Sequence, residues 1–202
     1  GGTGGGTDTV DLLVFETDFI PGWAPWDCCS PGTQIIVTDD AQHGQATQFT
    51  LAGATVGGFT ARDVDGAVGG MPFDASALTN AMITFELKMT KAPDAGVVDW
   101  KFKVESNANG AENAEVNLST SIEGHATPVL DTWQTYTFPI ADLVTGSLDA
   151  GALDVFMVFP NFNDAAGAVY LLDNFKIISD SSTGGGGGTG GGTDTVDLLV
   201  FE

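Results

Sequence analysis

Residues 81–105 read AMITFELKMTKAPDAGVVDWKFKVE, and this stretch decides the fold class. Ile83, Phe85, Leu87 and Met89 alternate with polar neighbours, and after KAPDAG the same period of two returns in Trp100, Phe102 and Val104. An extended strand turns successive side chains to opposite faces, so each run buries one face and wets the other. Pro93, Asp94 and Gly96 between the runs are turn residues. The reading is two strands of half-buried antiparallel sheet.

Working outward, strand-like stretches recur at residues 10–16, 33–37, 46–51, 114–121, 134–139, 154–159 and 168–178, punctuated by SPGT, SNANGAEN and PNFNDAAG. Helix is nearly absent from the pattern; FDASAL (73–78) and ADLVTG (141–146) are expected to make single helical turns. Many short strands joined by turns rich in Gly, Pro, Asn and Asp predict an all-β fold of two packed antiparallel sheets. With 43% hydrophobic residues, including 13 Phe and 4 Trp, the 202-residue chain can fill one such core. A single sandwich domain is expected over residues 10–180.

The ends carry a second signal. Residues 1–16 and residues 187–202 both read GGTGGGTDTVDLLVFE. Identity through TDTVDLLVFE, with Val10, Leu12 and Val14 alternating, is the mark of a repeated unit rather than of low complexity. Residues 1–9 and 181–195 then read as Gly/Thr-rich linkers, and residues 196–202 as the first strand of the next copy. That strand either opens the following sandwich or adds to an edge of a neighbouring sheet.

Charge narrows the partners. Six Lys and Arg stand against 27 Asp and Glu, a formal charge of -21, which repels nucleic acid and anionic lipid. No apolar run approaches the ~20 residues of a membrane helix, and GGTGGGTDTV lacks the basic and apolar parts of a signal peptide, so the chain is expected to start within a longer precursor. Acidity of this degree suits salty, calcium-containing water outside the cell. Cys28 and Cys29 are adjacent, which leaves a vicinal disulfide, two thiols or a bond to another chain. A local stiffener or a small apolar pair is the expectation, since no thiolate-activating group is evident nearby.

On the polar faces of the central strands stand Glu86 and Lys88, then Lys101, Lys103 and Glu105, then Glu115 and Asn117. The alternation places them on one polar sheet surface. Either they pair across strands, at about 0.2–1 kcal/mol each, or they line a polar groove. Trp26 in APWDCCSPG, with Asp27 beside it, is the best exposed aromatic platform, while Trp23, Trp100 and Trp133 are expected in the core.

Three segments, LVFETDFIPGW (13–23), VTDDAQHGQA (37–46) and AVYLLDNFKI (168–177), resemble jelly-roll, galactose-binding-like carbohydrate-binding modules. With MPFDAS, DTWQTYTFPIADL and VFPNFNDAAG, the chain is similar to the β-sandwich domains appended to marine bacterial β-glucanases and exo-glucosidases. The resemblance implies a jelly roll and a structural calcium ion, Ca2+. Glu16 and Asp173 match the family's paired carboxylates on the first and last strands, and Asp39, Asp40 and His43 lie in the matching loop. It also implies affinity for β-glucan-like polysaccharide, for which Trp26, Asp27, Lys88, Lys101, Lys103 and Glu105 are the candidates here.

No catalytic constellation is legible. His43 and His125 are far apart and lack a ligand-spaced third partner, and neither GxSxG nor a phosphate-binding glycine pattern occurs. With 27 acids, pairs will meet in space without meaning. The expectation is a non-catalytic, calcium-stabilised module, repeated in tandem in a secreted bacterial surface fibre or adhesin and packed against neighbouring copies. The alternative is a working polysaccharide-binding module of an extracellular carbohydrate-active enzyme.

Overall fold

A computed structural model describes residues 8–29, 32–63, 69–144 and 146–180. Most of both Gly/Thr linkers and the whole repeated strand at 196–202 lie outside the described residues. The described residues form eleven strands: β1 (Asp8–Phe15), β2 (Ala24–Cys28), β3 (Gly32–Thr38), β4 (Gln45–Leu51), β5 (Val56–Thr60), β6 (Met82–Lys91), β7 (Trp100–Ser106), β8 (Asn109–Asn117), β9 (Trp133–Pro139), β10 (Leu153–Pro160) and β11 (Val169–Asp180). The expected all-β two-sheet jelly roll is the fold observed. One sheet runs β3-β4-β11-β6-β9, with β1 paired to the second half of β11; the other runs β2-β5-β10-β7-β8. Every strand pairing is antiparallel.

The alternation read in residues 81–105 is what packs the sheets. Ile83, Phe85 and Leu87 of β6, and Trp100, Phe102 and Val104 of β7, are buried to 1% exposure or less. Aromatic rings pack between the sheets: Phe85 stacks on Phe175 at 5.1 Å, Phe102 on Phe138 at 4.7 Å, and Trp23 on Phe156 at 5.1 Å. Such pairs add to plain burial by roughly 0.5–1.5 kcal/mol each. Across the two layers the buried Tyr170 hydroxyl of β11 donates to the Val158 carbonyl of β10. Burial first, and then the charge of Asp27, hold this phenol protonated far above its ordinary range.

Two strands escape the sequence pattern. β2 contains Pro25 and Asp27, which fit an edge strand and not a typical β run. β5 reads VGGFT, and its glycines answer to packing: a Cβ on Gly57 would stand 2.6 Å from both Phe49 Cδ1 and the Tyr170 hydroxyl. Of the two expected helical turns, Ile140–Leu143 forms α1, whereas 73–78 makes a bridge and a turn without helix.

The larger difference concerns β6 and β7. They follow one another in sequence but belong to different sheets, because the KAPDAG connection crosses from one layer to the other. Glu86 and Lys88 therefore do not share a surface with Lys101, Lys103 and Glu105. The expected single polar surface is two surfaces on opposite sides of the sandwich.

Candidate functional site

The outer face of the five-stranded sheet holds a groove of about 400 Å³. Alternate residues of all five strands reach it: Trp26 and Cys28 from β2, Val56 from β5, Met157 and Phe159 from β10, Lys103 and Glu105 from β7, and Glu115 from β8. Register explains the grouping, since Trp26 lies opposite Gly58, Gly58 opposite Met157, and Met157 opposite Lys103. The absent side chain at Gly58 lets β5 approach β10, because a Cβ there would meet the Phe156 carbonyl and the Met157 Cα. Met157 and Phe159, at 2% and 3% exposure, form a deep apolar floor with Trp26 on one side and charged residues on the other.

The charged side is held by an ion network. The Arg62 guanidinium donates to Glu105 at 2.8 Å and to Asp154 at 2.7 Å, and Lys103 Nζ reaches Glu105 at 2.9 Å. Burial alone would lower the Arg62 pKa, but the hydrogen bond and charge of Asp154, followed by the charge and hydrogen bond of Glu105, raise it. One carboxylate that lines the groove is thus fixed by two cations. Lys101 stands on the same face and donates to Asn117.

Among the residues expected to bind sugar, the structure brings together Trp26, Lys103 and Glu105, with Lys101 on the same sheet face. Trp26 is in strand β2, not in a loop. Asp27 is the neighbour of Trp26 in sequence but takes the opposite, inward side of β2, opposite Gly57, and its charge acts on buried Tyr170. Lys88 is on the other sheet, where its Nζ donates to both oxygens of Asp39 at 2.9 and 2.8 Å.

The outer face of the six-stranded sheet carries the second cluster. Asp173 lies directly opposite Glu86 in the β11–β6 ladder. His43 Nε2 stands 3.5 Å from Glu86, and its Nδ1 faces Asp40 at 3.0 Å. Ligand atoms of His43, Glu86 and Asp173 lie within 4.8 Å of one another, as do those of Asp39, Asp40 and His43. Burial first, and then the charges of Glu86 and Glu16, push Asp173 up to about 6, against opposing help from the Asn174 backbone N–H and His43. The His43 backbone N–H and then its ring hold Asp40 well below the usual carboxylate range.

Of the expected calcium ligands, Asp173 and His43 are gathered with Glu86. Glu16 is exposed, one residue past the end of β1, and acts on Asp173 through its charge. Asp40 is turned to His43. Asp39 is occupied by Lys88 and by the Trp133 indole N–H at 2.9 Å. Trp133 itself is not in the core: it is half-buried and stacks on His43 at 4.2 Å. Its position in β9 opposite Lys88 puts it on the outer face, a fact that register and not hydrophobicity decides. Glu86 escaped sequence reasoning because only the pairing of β6 with β11 sets it beside Asp173.

No family model and no curated protein matches the chain. Solved structures do. A family 11 carbohydrate-binding module of the cellulosomal cellulase Lic26A-Cel5E of Clostridium thermocellum is 17% identical at a TM-score of 0.53, over 85% of this chain and 96% of that one. A family 11 module from the same organism, in complex with a β-1,3-1,4-mixed-linked tetrasaccharide, is 17% identical at a TM-score of 0.53, over 84% of this chain and 95% of that one. A family 30 carbohydrate-binding module is 12% identical at a TM-score of 0.57, over 86% of this chain and 99% of that one. At these identities the likeness is one of fold, and the chain has the two-sheet jelly-roll fold of carbohydrate-binding modules.

Proposed function

We propose that this chain is a non-catalytic, extracellular polysaccharide-binding module that takes a β-glucan-like chain along the groove of its five-stranded sheet. The observation that carries the reading is the groove itself: an aromatic wall at Trp26, an apolar floor at Met157 and Phe159, and hydrogen-bonding side chains at Lys103, Glu105 and Glu115. Sugar rings offer an apolar face for stacking and a rim of hydroxyls for polar contacts, so a site for them pairs these two surfaces. Binding of a mixed-linkage tetrasaccharide by a structural neighbour supports the ligand class. Glu105 is engaged by Arg62 and Lys103, which suits a fixed hydrogen-bond acceptor better than an acid that must give up a proton.

The test is a pull-down on insoluble mixed-linkage β-glucan, with oligosaccharide titration of the soluble module. Retention of the unmodified chain and its loss in Trp26→Ala support the reading. Failure of the unmodified chain to bind any β-glucan refutes it.

The second cluster supports a structural calcium ion. Calcium takes six to eight oxygen ligands, and Asp173 with Glu86 supplies facing carboxylates, with Glu16 adding negative charge. The pKa of Asp173 is raised in part by those like charges, which a bound cation would offset. His43 offers nitrogen, a poorer donor to this ion; Asp39 is engaged by Lys88 and Trp133, and Asp40 by His43 itself, so these two are better placed to position the cluster than to ligate.

A second reading is favoured by the repeated segment and by one register pair. Asp8 of β1 lies beside Asp180 of β11, so the chain comes into the sandwich and leaves it at one point. With the segment at residues 1–16 repeated at 187–202, modules of this kind can follow one another closely in a secreted surface protein, as a fibre or adhesin in which neighbouring copies are the partners. Linked sites would also raise retention on a polysaccharide by avidity. Imaging of the native material decides it: continuous filaments support this reading, and isolated particles oppose it.

A further inference from the structure

Cys28 and Cys29 form a disulfide between adjacent residues, and its position asks for a purpose. A cross-link stabilises chiefly by shortening the loops open to the unfolded chain, and the effect grows with loop length. Here the sequence separation is 1, so almost no loop is closed. The bond is therefore a poor staple for the fold. What it does constrain is the end of β2, where Cys29 takes φ 86°, a conformation that residues with a Cβ rarely adopt. Backbone held in such regions concentrates at ligand sites.

Both cysteines line the groove. Trp26 and Cys28 are two residues apart on β2, opposite Gly58 and Val56, so they share its outer face. Cys28 is half-buried against the core and Cys29 is exposed. Next to them stand Val56, Met157 and Phe159. A disulfide has no strong hydrogen-bonding group and a polarisable surface, as the thioether of Met157 does. Locked in a small ring, it also has no rotamer freedom to lose when a ligand packs on it.

We propose that the Cys28–Cys29 disulfide is a ligand-contacting platform that extends the Trp26 wall and accepts the apolar face of a neighbouring sugar unit. The proposal rests on the polysaccharide-binding reading and names a specificity element within that site. The bonded pair presents one fixed surface, whereas two separate thiols would present two rotating side chains.

The experiment compares three proteins for binding of a β-1,3-1,4-mixed-linked tetrasaccharide by calorimetry: the unmodified chain, Trp26→Ala, and the double variant Cys28→Ala with Cys29→Ala. Each is also melted without ligand. The double variant is expected to keep its melting midpoint and to bind about five- to tenfold more weakly. Treatment of the unmodified chain with a dithiol reductant, which itself becomes the disulfide, should give the same loss, reversed on reoxidation. Unchanged affinity in the double variant, while Trp26→Ala loses binding, overturns this proposal alone. A fall in affinity matched by a fall in melting midpoint also overturns it, because the pair would then act through the fold. No binding by the unmodified chain overturns both this and the wider reading.

Discussion

Replacing Arg62 with methionine removes the only arginine in the chain from between two buried acids. Glu105 and Asp154 are 6% and 1% exposed, and Arg62 contacts them at 2.8 and 2.7 Å. Breaking one side of a buried ion pair costs about 3–5 kcal/mol, because the remaining charge is left without a partner in a poorly solvated place. Lys103 remains on Glu105 at 2.9 Å and the Ala108 backbone N–H remains on Asp154, so the lower end, about 3 kcal/mol, is expected. In a domain of this size that corresponds to a fall of about 6–12 °C in melting midpoint at pH 7.

Urea denaturation of both proteins at pH 7, with the slope on denaturant held as a check, measures the loss. A loss under about 1 kcal/mol would refute the reasoning. A cycle with Asp154→Asn should show the two substitutions to be less than additive.

The carboxylate cluster and the core give two more expectations. In chelator, the melting midpoint should rise as pH falls from 7 through about 6, because the raised Asp173 pKa makes the folded state bind its proton more tightly, and Asp173→Asn should flatten that part of the profile. Calcium should raise the midpoint at pH 7, with the gain fading below pH 6 as protons compete for Asp173; no response to calcium would count against the site. Gly57→Ala should destabilise by about 1–3 kcal/mol by chemical denaturation, since its new methyl group would press on two buried rings.

The fold was legible where a single strand carries its own evidence. Ile83, Phe85, Leu87, Trp100, Phe102 and Val104 needed only alternation to be placed inside. β2 and β5 were not legible, because Pro25, Asp27, Gly57 and Gly58 read locally as turn residues and are explained only by edge position and by what packs on them. The sites divide on the same line. Trp26 could be singled out from its own stretch, but Asp27 took the other face of the strand. Glu86, Lys88 and Trp133 depended on which strands pair, and a crossing between sheets after β6 reassigned the first two.

The adjacency of Asp8 and Asp180 also has a mechanical meaning. Tension applied to the two ends of the sandwich would pull β1 away from β11 sideways, parting their hydrogen bonds in succession from the open end rather than loading them together. A sandwich loaded in this way would yield early and lengthen under strain, behaving as a slack leash rather than a rigid strut.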